Sequence, residues 1–146
     1  MSKNKVVLDK PSWLGGIVAP TLVGCGLSCM LPGSAISASY YALAGWQGLL
    51  GAGVIFKRPH GHPRRLSEFS GVAWFGLAYL TYAAAGDTDN QLSTSIVLAS
   101  LVVNGFFAVV TGPLRLGNAN DAEKILVPAT SLVVAWAGSM LFSARS

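Results

Sequence analysis

The sequence predicts an all-α, polytopic transmembrane helix bundle of five spans, with the N-terminus inside and the C-terminus outside. Three observations carry that expectation. Only 11% of the residues are charged and 52% are hydrophobic, whereas a soluble domain draws its surface from about 25% charged residues. Five apolar runs contain no Asp, Glu, Lys, Arg or His. The cations also fall into the segments between the runs with a strong bias to one side. At 146 residues the chain is read as a single transmembrane domain.

The first run extends over about 13–31, after a polar start carrying Lys3, Lys5 and Lys10. A helix crosses the hydrocarbon with roughly 20 residues, 17 to 25 being tolerated. Pro32-Gly33-Ser34 interrupts this run, and the second follows over about 38–56. The third covers about 69–86, after a basic loop from Lys57 to Glu68. Gly86-Asp87-Thr88-Asp89-Asn90 has turn composition and separates it from the fourth, about 92–112. A polar stretch from Pro113 to Lys124 precedes the fifth, about 125–142. The runs lack the alternation of membrane β-strands. Helices are then the remaining structure that satisfies its own backbone in lipid.

Five spans sort the charges cleanly. Lys3, Lys5, Lys10, Lys57, Arg58, Arg64, Arg65, Arg115 and Lys124 share one side, and Arg145 lies opposite with Asp87 and Asp89. That is the positive-inside pattern, and omitting a middle span would scatter it. Four spans result if the first run is a cleaved signal or a re-entrant segment. Its length and Pro20 argue against a signal core of 7 to 15 residues. The net charge of +4 therefore reads as topology and headgroup contact, with no nucleic-acid partner.

The densest chemistry lies in Lys57-Arg58-Pro59-His60-Gly61-His62-Pro63-Arg64-Arg65. Beyond its topological role, Arg58, His60, His62, Arg64 and Arg65 form a candidate site for an anion or lipid headgroup, because guanidinium matches phosphate oxygens bidentately. A metal is not expected there: two histidines among four cations fall short of the three or four ligands a stable site needs. Gln47, Ser100 and Asn104 are the candidate polar groups within the spans. They serve either helix packing or, less favoured, a path for a solute.

Stripes of small residues at four-residue spacing mark expected helix contacts: Gly16, Pro20, Gly24 and Ser28; Ala44, Gly48 and Ala52; Ser100, Asn104, Ala108 and Gly112. Cys25 and Cys29 read as small packing residues. Trp13 fits an interfacial anchor, and Trp46, Trp74 and Trp136 lie deeper, where an indole N–H needs a partner. Pro20 and Pro128 predict kinks or broken helical hydrogen bonds.

No catalytic residues and no cofactor are expected. Paired carboxylates for acid–base work and a glycine-rich phosphate loop are both absent from the sequence. An ionisable group within a span, which proton-coupled carriers use, is missing too. The expected function is a non-catalytic accessory or scaffold subunit, with membrane lipids and other membrane subunits, or further copies of the chain, as partners. A facilitator for a small neutral solute is the first alternative. A small membrane enzyme using the His-bearing loop is the second.

Overall fold

The computed structural model describes residues 17–56, 64–111 and 121–145, with side chains described over 17–56, 64–108 and 126–143. Among the described residues every regular element is helical. In chain order these are α1 (Ala19–Met30), a 3-10 turn (Gly33–Ala35), α2 (Ile36–Phe56), α3 (Arg64–Ala85), α4 (Gln91–Thr111) and α5 (Asp121–Arg145). The all-α class is thus as the sequence predicts.

Two helices contain stretches long and apolar enough to cross a membrane, Gln91–Ala108 in α4 and Leu126–Ser143 in α5. Core helices of soluble proteins can share that property, but they are mostly buried. Here only 33% and 39% of the two stretches are buried. α1 is apolar but shorter. α2 carries no charge, yet Tyr40, Tyr41, Trp46, Gln47 and its glycines lower its hydropathy. α3 opens on Arg64, Arg65 and Glu68, so it begins in the polar segment and runs into the third apolar stretch.

The helix ends follow local chemistry. Pro20 lies in the first turn of α1, directly after the π-helical Ile17 and Val18, an irregular stretch of helix beside a residue that lacks an N–H. Pro128 does lie inside α5, and it removes one i→i−4 bond. After α3, the amides of Gly86 and Asp87 bond the carbonyls of Ala83 and Ala84, each at 3.2 Å. Asn90 then starts α4. Its Oδ1 accepts from the amide of Leu92 at 2.9 Å, and its carbonyl accepts from the amide of Thr94 at 3.1 Å. A side-chain acceptor at this position satisfies one of the helix's otherwise unbonded first amides.

The chain forms two compact units. One runs from Ile36 to Ser100; the other comprises the chain up to Ala35 and from Leu101 onward. In the first, α2 and α3 pair as an antiparallel hairpin. Ser37 Oγ donates to the carbonyl of Ala85, the rings of Tyr41 and Tyr82 meet edge-on at 5.3 Å, Gln47 bonds Thr81, and Gly51 lies against Gly71 and Trp74. Partners on α3 fall in number as those on α2 rise, which defines the direction. In the second unit, α1 pairs with α5, and the Gly33–Ala35 turn also rests on α5.

Glycine explains how closely these pairs approach. A Cβ built on Gly24 would sit 2.5 Å from the carbonyl oxygen of Leu132 and 2.9 Å from the amide nitrogen of Trp136. On the hairpin, a Cβ on Gly51 would lie 3.0 Å from the carbonyl oxygen of Gly71. Small residues at such crossings let backbones touch, which is how apolar helices gain packing energy without a hydrophobic drive between them.

Candidate functional site

The polar side chains of the helices are where a site would be sought, and several of them are fully buried beside the apolar Tyr40, Leu43 and Val97. Gln47, Thr81, Ser100, Asn104 and Thr130 are all 0% exposed, whereas Met30, Phe69, Phe106 and Phe142 are 70% or more exposed. The described exterior thus carries many large apolar side chains, and the interior holds amides and hydroxyls beside apolar residues.

Three of the buried polar groups form one network in the unit from Ile36 to Ser100. Gln47 Nε2 donates to Thr81 Oγ1 at 2.9 Å, and Thr81 Oγ1 lies 2.8 Å from Ser100 Oγ. Thr81 Oγ1 is also 2.8 Å from the carbonyl oxygen of Leu77. Chemistry fixes the directions. A carbonyl cannot donate, so the single Thr81 proton goes to Leu77. Thr81 then accepts from both Gln47 and Ser100, using its two lone pairs. Its hydrogen-bonding capacity is full, and α2, α3 and α4 are joined through one oxygen.

Gln47 and Ser100 are therefore brought together as the sequence grouped them, but through Thr81, which the sequence reading passed over. A hydroxyl in the middle of an uncharged stretch was the available signal. Asn104 lies one helical turn beyond Ser100 on the same buried face, continued by Ala108; Gly112 lies outside the described residues. In the other unit, Ser139 Oγ donates to Cys25 Sγ at 3.3 Å. Cys25 is half-buried and Cys29 exposed, and both are free thiols. That bond gives Cys25 a contact in the α1–α5 packing beside Gly24, where an added Cβ would strike Leu132, Ala135 and Trp136.

Other expected contacts fall elsewhere. In α2, Gly48 has nothing within 4 Å of where a Cβ would be, and Gly51 is the glycine in contact. Trp46, Trp74 and Trp136 are each partly buried. The Nε1 of Trp136 is buried with no hydrogen-bond partner among the described residues.

Of the basic candidates, Arg64 and Arg65 form the first turn of α3, and both are exposed. Arg64 Nε donates to Glu68 Oε1 at 2.9 Å. So exposed an i,i+4 pair contributes at most about 0.5 kcal/mol. Arg58, His60 and His62 lie outside the described residues, as do Trp13 and Gly16. Among the described residues no three His, Cys, Asp or Glu side chains gather as a metal site would require. The chain matches no known family model, no curated protein and no solved structure.

Proposed function

We propose that the protein is a multi-pass integral membrane protein of five spans, acting as a non-catalytic accessory or scaffold subunit of a larger membrane assembly. The observation that carries this reading is the apolar exterior, with Met30, Phe69, Phe106 and Phe142 outside, while Gln47, Thr81 and Asn104 lie inside beside Tyr40, Leu43 and Val97. In water, that exterior would forfeit about 25 cal/mol for each Å² of apolar surface left uncovered. In hydrocarbon it costs nothing. The buried polar groups then do what such groups do between membrane helices, bonding one helix to the next.

Topology follows from the same reading. With Cys25 and Cys29 replaced by serine, a cysteine introduced as Glu68→Cys should react with a membrane-impermeant maleimide only from the inner side. One introduced as Asp89→Cys should react only from the outer side. Labelling of both from one side would remove the five-span arrangement.

Packing also accounts for the polar groups better than a solute path does. The Thr81 oxygen at the centre of the network is fully occupied by Leu77, Gln47 and Ser100. A path lined by these residues would have to break those bonds at each passage. The test of the subunit reading is blue-native electrophoresis of gently solubilised membranes. The chain should migrate in a complex well above its own 15.2 kDa plus detergent. A single band at monomer mass would refute it.

A further inference from the structure

We infer that the outward face of the α2–α3 hairpin docks a second copy of this chain about a twofold axis along the membrane normal, an inference that rests on the membrane-subunit reading above and names one partner for it. Each helix turns by about 100° per residue. On that turn the buried Gln47 and Leu50 of α2 and Thr81 and Ala84 of α3 mark one side of the hairpin. Gly45, Leu49 and Gly53 on α2, with Val72, Gly76 and Tyr79 on α3, lie on the opposite side, and all six are exposed. The rings of Tyr41 and Tyr82 meet where the two exposed arcs adjoin, so the arcs form one continuous face.

Glycine inside a helix is destabilising relative to alanine. Where the chain's own helices cross, close approach offsets that cost: a Cβ built on Gly24, Gly51 or Gly71 would strike the facing helix. Gly45, Gly48, Gly53 and Gly76 have nothing within 4 Å of a built Cβ. Fluid acyl chains pack against alanine as readily as against glycine, so lipid alone gives no use for these four openings. A second helix does, because small residues let two backbones approach.

Register identifies that helix. Tyr41 meets Tyr82, Gln47 bonds Thr81, Gly51 lies against Trp74 and Ile55 against Gly71. These pairs fix which residues of the two antiparallel helices share a depth. Gly45 is level with Tyr79, Gly48 with Phe75 and Gly53 with Val72, while Gly76 on α3 is level with Leu49 on α2. Each opening on one helix thus has a large side chain at its own depth on the other, and these four side chains are between 42% and 71% exposed. Within one copy they lie side by side on the same face and do not fill the openings. A twofold axis along the normal sets α2 of one copy against α3 of the other and leaves every residue at its own depth. Tyr79 then enters the space over Gly45, Phe75 that over Gly48, Val72 that over Gly53 and Leu49 that over Gly76. Each contact occurs twice, as an isologous interface requires. The matching spacing is a property of this sequence, and a second copy supplies it by symmetry.

Energy transfer between full chains in phosphatidylcholine–phosphatidylglycerol vesicles tests this. Chains carrying Cys25→Ser and Cys29→Ser are labelled with donor or acceptor dye at Arg145→Cys, and protein density is lowered stepwise. The parent should show transfer from a dimer that disperses on dilution with lipid. Gly45→Leu places its side chain where a single copy has room, so it should keep the helical circular-dichroism spectrum. It should weaken the dimer about fivefold or more, the least effect of overpacking a fitted contact. Adding Tyr79→Ala to Gly45→Leu removes the side chain that would collide and should restore association. Absence of transfer at every density would overturn the interface, as would transfer indifferent to Gly45→Leu. If transfer is absent while blue-native electrophoresis still finds the chain in a large complex, the second copy falls and the subunit reading stands. A monomer by both measures removes both.

Discussion

Replacing Gly24 with leucine is expected to separate α1 from α5. The expectation rests on what a side chain at this position meets. Its first carbon alone would come within 2.5 Å of the Leu132 carbonyl oxygen, 2.8 Å of the Ala135 Cβ and 2.9 Å of the Trp136 amide nitrogen. Two of these three atoms belong to the backbone of α5 and cannot be turned aside by a change of rotamer. Overpacking a fitted contact typically costs about 1–3 kcal/mol, and the effect here belongs at or beyond the upper end. Gly26, two residues along the same helix, supplies the control, since nothing lies within 4 Å of a Cβ built there. Gly24→Leu and Gly26→Leu add the same side chain to the same helix and differ only in what it strikes. In a titration from mild detergent into dodecyl sulfate, followed by tryptophan fluorescence, Gly24→Leu should unfold at markedly lower dodecyl sulfate. Gly26→Leu should stay near the parent. Equal shifts for the two would contradict the α1–α5 contact.

Helix class was legible because it depends on quantities that sequence carries directly. A stretch such as the run ending at Phe142 is uncharged over its whole length, and the described residues there are helical. Turn chemistry was equally readable: Gly86, Asp87 and Asn90 end one helix and start the next through their own amides and side chain. Which glycine would be in contact was not. Gly48 and Gly51 both lie in α2, three residues apart, and only the crossing point with α3 decides that Gly51 meets Gly71 while Gly48 meets nothing. A crossing point is a property of two helices together, and neither helix's own sequence contains it. Pro20 shows a different limit. It falls where the π-helical Ile17 and Val18 pass into α1, and element boundaries are the weakest part of any sequence reading.

The candidate site divides in the same way. Gln47 and Ser100 stood out as polar residues in apolar surroundings, and they do lie together. Thr81 joins them, and it drew no notice because a single threonine within a helix is routinely satisfied by its own i−4 carbonyl. Thr81 makes that bond as well. What sequence could not give is that its two lone pairs face α2 and α4 at once.

Replacing Thr81 with valine is expected to loosen the unit formed by α2, α3 and the first part of α4. Valine keeps the branched shape, so the change removes the oxygen with little change in volume. Gln47 Nε2 and Ser100 Oγ each lose an acceptor at less than 3 Å, in a place where all three residues are 0% exposed. A net intramolecular hydrogen bond contributes about 0.5–1.5 kcal/mol on the scale of soluble proteins. Hydrogen bonds between membrane helices average nearer 0.6 kcal/mol, with a maximum of about 1.7, because the separated helices find other partners in lipid. Two interhelical bonds lost together place Thr81→Val at about 1–2 kcal/mol, smaller than the effect of Gly24→Leu. A double-mutant cycle distinguishes a network from unrelated contacts. Once Thr81 is valine, Gln47→Leu should cost less than it does in the parent, because the bond it would break is already gone. The same dodecyl sulfate titration reads all four corners of the cycle. Strict additivity would mean that the Gln47–Thr81 bond contributes nothing to holding α2 against α3, and the packing of Gly51 on Gly71 would then have to hold that pair together without it.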